Sequence, residues 1–208
     1  FVKGFYIPNA GGPLAITPPI DVVGSKPSES EFVLMHEYAH HFMYENAQYL
    51  VPRWYSEGFA EYFATAKFEA DGGVGLGLPA MHRGYELFEA KDVSIERLLD
   101  SKLYLARKSN DYDNFYGRSW LLFHYLVSDA SRRGQLADYL NRLNAGEAEL
   151  SAAKSAFGDL KTLDKELDRY VRHSKWQYIK VPGDELKIGQ IAVRKLREGE
   201  AASMPVRI

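Results

Sequence analysis

The chain has 208 residues, 46% hydrophobic and 13% aromatic, which is enough to bury a core in one domain. A formal net charge of −2 and the lack of a long basic run argue against a nucleic-acid or anionic-membrane surface, and the lack of cysteine rules out disulfides and thiolate metal sites. No run approaches the ~18 apolar residues of a membrane span. Phe1 stands where a nascent chain would carry methionine. With no leader pattern after it, this points to a mature or trimmed chain, expected in the periplasm or outside the cell ahead of the cytoplasm.

In chain order, residues 5–7 and Leu14, Ala15, Ile16 and Thr17 read as two short strands, joined by a turn rich in proline and glycine. Ser28 with Glu31 three residues later forms a capping box, which predicts a helix over residues 29–48. That helix carries His36-Glu37-Tyr38-Ala39-His40. At about 100° per residue the two imidazoles leave the same face one turn apart, a spacing that suits two ligands of one tetrahedral metal. Glu37 lies about 100° round from His36, within reach of a water on that metal, where a general base belongs. Phe32, Val33, Leu34, Met35, Tyr38, Ala39, Phe42 and Met43 make the helix apolar nearly all round, which predicts burial. His41 points about 140° from His36 and reads as a packed or solvent-side residue.

A catalytic zinc takes three protein ligands and keeps one position open, so a third must come from elsewhere. The His-x-x-Gly-x-x-His extension is excluded, because the sixth residue after His40 is Asn46 and no glycine precedes it. A second helix is predicted over residues 52–70, with Trp54, Glu57, Glu61, Ala64 and Phe68 on one stripe. Two carboxylates on an aromatic stripe are costly unless something cationic faces them. Gly58, inside this helix, implies close packing there.

These two segments, His36-Glu37-x-x-His40 and Pro52-x-Trp54-x-x-Glu57-Gly58-x-Ala60-Glu61-Tyr62, resemble the gluzincin metallopeptidases, most closely their small bacterial peptidase MA-like branch. The resemblance implies one zinc per chain held by His36, His40 and Glu57, with Glu37 as base and Glu61 orienting a ligating histidine. It further implies that the strand at Leu14, Ala15, Ile16 and Thr17 receives an extended substrate by strand addition, although an ordinary hairpin covering the core fits as well. The spacing between His40 and Glu57 is shorter than in the best-known branches.

Residues 71–79 read as a flexible, glycine-rich loop beside the cleft, without a phosphate-binding pattern. Helical spacing returns over residues 80–90 and 94–100, read as purely structural, with Ser94 as a cap. Residues 115–127 form an unbroken apolar run that predicts a buried helix, and by resemblance Tyr116 at its start faces the metal. Further helices are predicted over residues 135–143, 147–157 and 163–174, then strands over 176–181 and 187–195, and a closing linker. His82 and His173 read as surface residues, and His124 as a histidine with structural partners.

The expected fold is α+β: a small N-terminal antiparallel sheet, a two-helix zinc core and a mostly helical C-terminal lobe, as in thermolysin-like gluzincin catalytic domains. One domain is expected over residues 1–208, with sheet and zinc helices in 1–78, the lobe in 79–175 and strands and tail in 176–208. The expected function is hydrolysis of peptide or protein substrates by a zinc-activated water. Endopeptidase action is expected, because residues 11–20 hold no acid to anchor a free amine. Two alternatives stay open: an aminopeptidase, and a non-catalytic binding or assembly module that keeps the fold.

Overall fold

The computed structural model describes residues 4–7, 14–17, 29–47, 51–107, 111–172, 175–187, 189, 190, 192 and 194–207. Among the described residues the fold is a mostly helical α+β arrangement with two small antiparallel sheets. Strands β1 (Phe5–Ile7) and β2 (Leu14–Ile16) pair with Tyr6 opposite Ala15. Helix α1 (Glu29–Asn46) follows, with Glu29 and Glu31 in its first turn complementing the helix dipole. Helix α2 (Arg53–Ala64) then packs against α1 on one side and against α6 (Phe115–Ser128) on the other.

Gly58 explains how closely α2 and α6 approach. A Cβ on Gly58 would lie 2.4 Å from the carbonyl oxygen of Ser119, so only glycine lets the two backbones touch. Helix α6 is buried almost all round, with Trp120 and Leu122 among the largest enclosed side chains. Trp54 of α2 is fully enclosed as well and donates its indole N–H to Tyr139 Oη at 3.2 Å. Burial of each such side chain contributes roughly 1.5–3 kcal/mol, which ties both helices to the core.

Short helices α3 (Gly84–Glu89), α4 (Ile95–Leu99) and α5 (Ser101–Leu105) precede α6. After it, α7 (Gln135–Asn144), α8 (Glu149–Phe157) and α9 (Leu160–Tyr170) pack on one another and on α4 and α6. Leu160, Leu163 and Leu167 form the buried face of α9, and Asp159 caps it by accepting from Thr162 N at 2.8 Å. Ser94 caps α4 in the same way.

Several expectations are corrected. Helix α2 stops at Ala64, six residues short of the predicted end, and the Thr65 hydroxyl turns back to donate to the Tyr62 carbonyl at 2.8 Å. The chain then forms β3 (Lys67–Phe68) and β4 (Val74–Leu76), and β4 also pairs with β5 (Ile179–Val181). The glycine-rich segment is therefore part of a three-stranded sheet. Gly77, with φ of +77°, lets the chain leave that sheet where a Cβ would strike the Tyr62 ring at 2.4 Å. The described residues of 187–195 form no strand, and the expected closing linker is helix α10 (Glu198–Arg207). Helix α1 is buried on fewer sides than its composition implies, because Tyr38 and Phe42 are exposed at 57% and 53%. Ser28, which was to cap α1, and His173 lie outside the described residues.

Candidate metal centre

Helices α1 and α2 bring three ligand-type atoms to one point. His36 Nε2 lies 3.1 Å from His40 Nε2, and Glu57 Oε2 lies 3.4 Å from the first and 3.5 Å from the second. The one-turn spacing of the histidines supplies two of these atoms, and the α1–α2 contact supplies the third. This His36, His40 and Glu57 group could hold a metal ion.

The other nitrogen of each ring is tied to α2. His36 Nδ1 lies 3.1 Å from Glu61 Oε1, and His40 Nδ1 lies 3.2 Å from Ser56 Oγ. With Nδ1 donating in both rings, both Nε2 lone pairs face inward toward a carboxylate oxygen. Such a group calls for a cation. Burial pulls the pKa of His36 down, yet hydrogen bonds to Glu57 and Glu61 overcome it and raise it to about 10. Glu57 shows the reverse balance: burial works to raise its pKa, and the two histidines hold it down at about 2. Both shifts have one cause, a centre that favours positive charge, which a proton on His36 or a metal ion can supply.

Glu61 is only 1% exposed and meets three donors: His36 Nδ1, His82 Nε2 at 2.8 Å and the Arg83 guanidinium. Burial alone would raise its pKa, but these partners hold it well below the usual carboxylate range. The residues 80–90 read as purely structural thus include a 3₁₀ turn, Met81–Arg83, that feeds the centre. His82, read as a surface residue, is reached by solvent, but its ring stacks on Phe32 with centroids 4.8 Å apart and its Nε2 binds Glu61.

A cavity of about 280 Å³ opens on the three atoms and is lined by residues of β1, α1, α2 and α6 together with Gly4. Glu37 and Tyr116 both line it. Glu37 is buried, and burial, the largest influence, raises its pKa against the pull of His36 and His40. The Tyr116 ring lies 6.4 Å from that of His36, and its phenol pKa is raised first by burial and then by Glu57. Tyr112, by contrast, is 62% exposed. The strand on the cavity is β1, through Tyr6, with Gly4 just before it; Leu14, Ala15, Ile16 and Thr17 pair with or follow that register and do not line the cavity.

Sequence reading missed Tyr44, Ser56 and Tyr6. Tyr44 stacks on His40 at 6.0 Å, its hydroxyl is 3.2 Å from Ser56 Oγ, and Tyr6 stacks on Tyr44 at 6.2 Å. The signal for Tyr44 was present, since residues 36, 40 and 44 share one helical face. His41 pairs with Tyr6 through a 2.9 Å contact to Nδ1 and stays out of the ligand group.

Residues 33–147, more than half the chain and inclusive of every α1, α2 and α6 residue named above as a possible ligand, base or donor, match the model of a family described as a protein of unknown function, DUF1570. No curated protein and no solved structure matches the chain.

Proposed function

The chain belongs to the DUF1570 family, described as of unknown function, so its role must be read from the site, and we propose that it is a zinc-dependent endopeptidase of gluzincin type. The observation that carries this reading is the convergence of His36, His40 and Glu57 with separations of 3.1 to 3.5 Å. Zinc bound at about 2.0–2.1 Å in a tetrahedral site needs ligand atoms roughly 3.3 Å apart, and two imidazoles with one carboxylate are a ligand set of catalytic zinc. The residues fit the ion.

A zinc ion held by His36, His40 and Glu57 would polarise the scissile carbonyl and bring the pKa of a water toward ~7. Glu37 accepts the proton of that water and passes it to the leaving amine, a task suited to a carboxylate whose pKa is raised by burial. Tyr116 stays protonated at neutral pH, because burial and Glu57 oppose its ionisation, and donates a hydrogen bond to the developing oxyanion. Glu61 orients His36, and Ser56 does the same for His40. The acids on the cavity are Glu37 and Glu57, so among the described residues none is left there to hold a substrate's free amine. That supports cleavage within chains. An extended substrate would lie along the β1–β2 hairpin, with β1 nearest the reacting groups.

Elemental analysis and digestion of a peptide library test this directly. Wild type should carry close to one zinc per chain, and Glu37→Gln should keep the zinc while losing hydrolysis by at least ~10²-fold. Wild type that holds zinc but cleaves nothing in the library, or Glu37→Gln that cleaves as well as wild type, would overturn the reading.

A further inference from the structure

The 3₁₀ turn at Met81–Arg83 lies outside both helices that carry the ligand atoms, yet its basic side chains reach behind them. Arg83 Nη2 and His36 Nδ1 meet at the same oxygen of Glu61, Oε1, while His82 Nε2 takes Oε2. The guanidinium has a second hand: Nη1 donates to Glu86 Oε2 at 3.1 Å. Glu86 is itself buried, and its Oε1 accepts from Gly117 N at 2.7 Å, one residue past Tyr116. The Arg83 guanidinium also lies over the Tyr116 ring, 4.9 Å from its centre.

One planar cation therefore touches the carboxylate behind His36, the ring of Tyr116 and the carboxylate that holds the first turn of α6. The geometry points to Arg83 as a positioning residue of the metal centre, which sets His36 through Glu61 and holds it in register with Tyr116. The part that concerns Tyr116 rests on the peptidase reading; the part that concerns His36 holds for any metal bound there. Lysine cannot replace it, because a single ammonium cannot bond two separated carboxylates while lying flat on a ring. A partly exposed ion cluster at α6 offers the contrast: Arg118, itself buried, pairs with Asp92, Asp164 and Asp168 and, among the described residues, has no group of the centre among its ion-pair partners.

The test compares wild type, Arg83→Lys and Arg118→Lys by the visible spectrum of the cobalt(II)-loaded protein and by zinc affinity from chelator competition. Arg83→Lys should alter the cobalt spectrum and weaken zinc binding by ~10–100-fold, the range for groups that orient a ligand. Arg118→Lys should lower the melting temperature and leave both metal readouts unchanged. If Arg83→Lys fails to fold, Glu86→Gln, which removes the charge that faces the second hand and keeps one oxygen to accept from Gly117 N, is read in the same way. A wild-type cobalt spectrum with wild-type zinc affinity in the folded variant overturns the inference. Where wild type cleaves peptides, Arg83→Lys should lower kcat with little change in KM, and its combination with Tyr116→Phe should cost less than the product of the two single effects; strict multiplication would remove Tyr116 from Arg83's role. A wild type that cleaves nothing, beside an Arg83→Lys variant with an altered spectrum, would sink the peptidase reading and leave the positioning role intact.

Discussion

His124 is fully enclosed and the His36–His40 pair is largely so, but their nitrogens are used differently. In His124, Nε2 faces the carbonyls of Gly77 at 2.9 Å and Gln177 at 3.0 Å, and Nδ1 meets the Tyr170 hydroxyl at 2.8 Å. Both sides of the ring are spent on the protein, and burial lowers its pKa, so it stays neutral. In His36 and His40 only Nδ1 is spent, on Glu61 and Ser56, while the two Nε2 atoms face each other and Glu57. A histidine that serves packing closes both of its bonds within the chain, and one that serves a metal leaves one open toward another ligand.

The strongest way to break this contrast is Glu57→Ala. Zinc content measured by elemental analysis should fall from about one per chain to near none, as a three-ligand site loses its only carboxylate. If Glu57→Ala binds normally while Glu61→Ala does not, the ligand assignment is wrong. Next in size is Tyr116→Phe, which keeps the ring and removes the donor. Steady-state kinetics should show kcat down by about 10²–10³-fold with KM and zinc content nearly unchanged. Full activity in Tyr116→Phe with a crippled Tyr112→Phe would move the donor to Tyr112. Glu61→Gln should weaken zinc binding by ~10–100-fold in chelator competition, because the His36 orientation loses its carboxylate. The smallest effect on the centre, none, belongs to His124→Phe. It strands two carbonyls and a hydroxyl and should cost about 1–3 kcal/mol of unfolding free energy by denaturant titration, with zinc affinity unaltered. A shift in that affinity would mean the two regions are not independent.

The residues of the centre that were legible in the sequence are those whose relation is local. His36, Glu37 and His40 are related by helical spacing alone, and Glu57 and Glu61 share one stripe of the next helix. The long buried helix α6 was legible too, from an apolar run too long for a strand. What escaped depended on contacts between distant segments. His82 and Arg83 show no pattern of their own, and only the path of the chain after β4 carries them back to Glu61. The second sheet was missed because glycines at 72, 73, 75 and 77 look like loop, and pairing with β5 more than a hundred residues away decides otherwise. The sequence pointed to Leu14, Ala15, Ile16 and Thr17 as the strand for substrate, whereas the cavity is lined by Tyr6 of β1: among the described residues both strands of this sheet are edges, and the sequence does not say which one turns toward α1's histidines.

The contact at Gly58 works as a ruler. Glu57 precedes it, and Ser119, whose carbonyl it meets, comes three residues after Tyr116, so the span between Glu57 and Tyr116 is set close to where two backbones touch. Side-chain rotamers ordinarily act as adjustable shims between helices, but at Gly58 the nearest atoms are the backbone of Ser119, with Phe123 Cβ beside them. The tolerance on that span is therefore inherited largely from backbone geometry, with Phe123 packing beside it. Even one methyl group added at position 58 would have to be accommodated as a displacement of Glu57 from Tyr116.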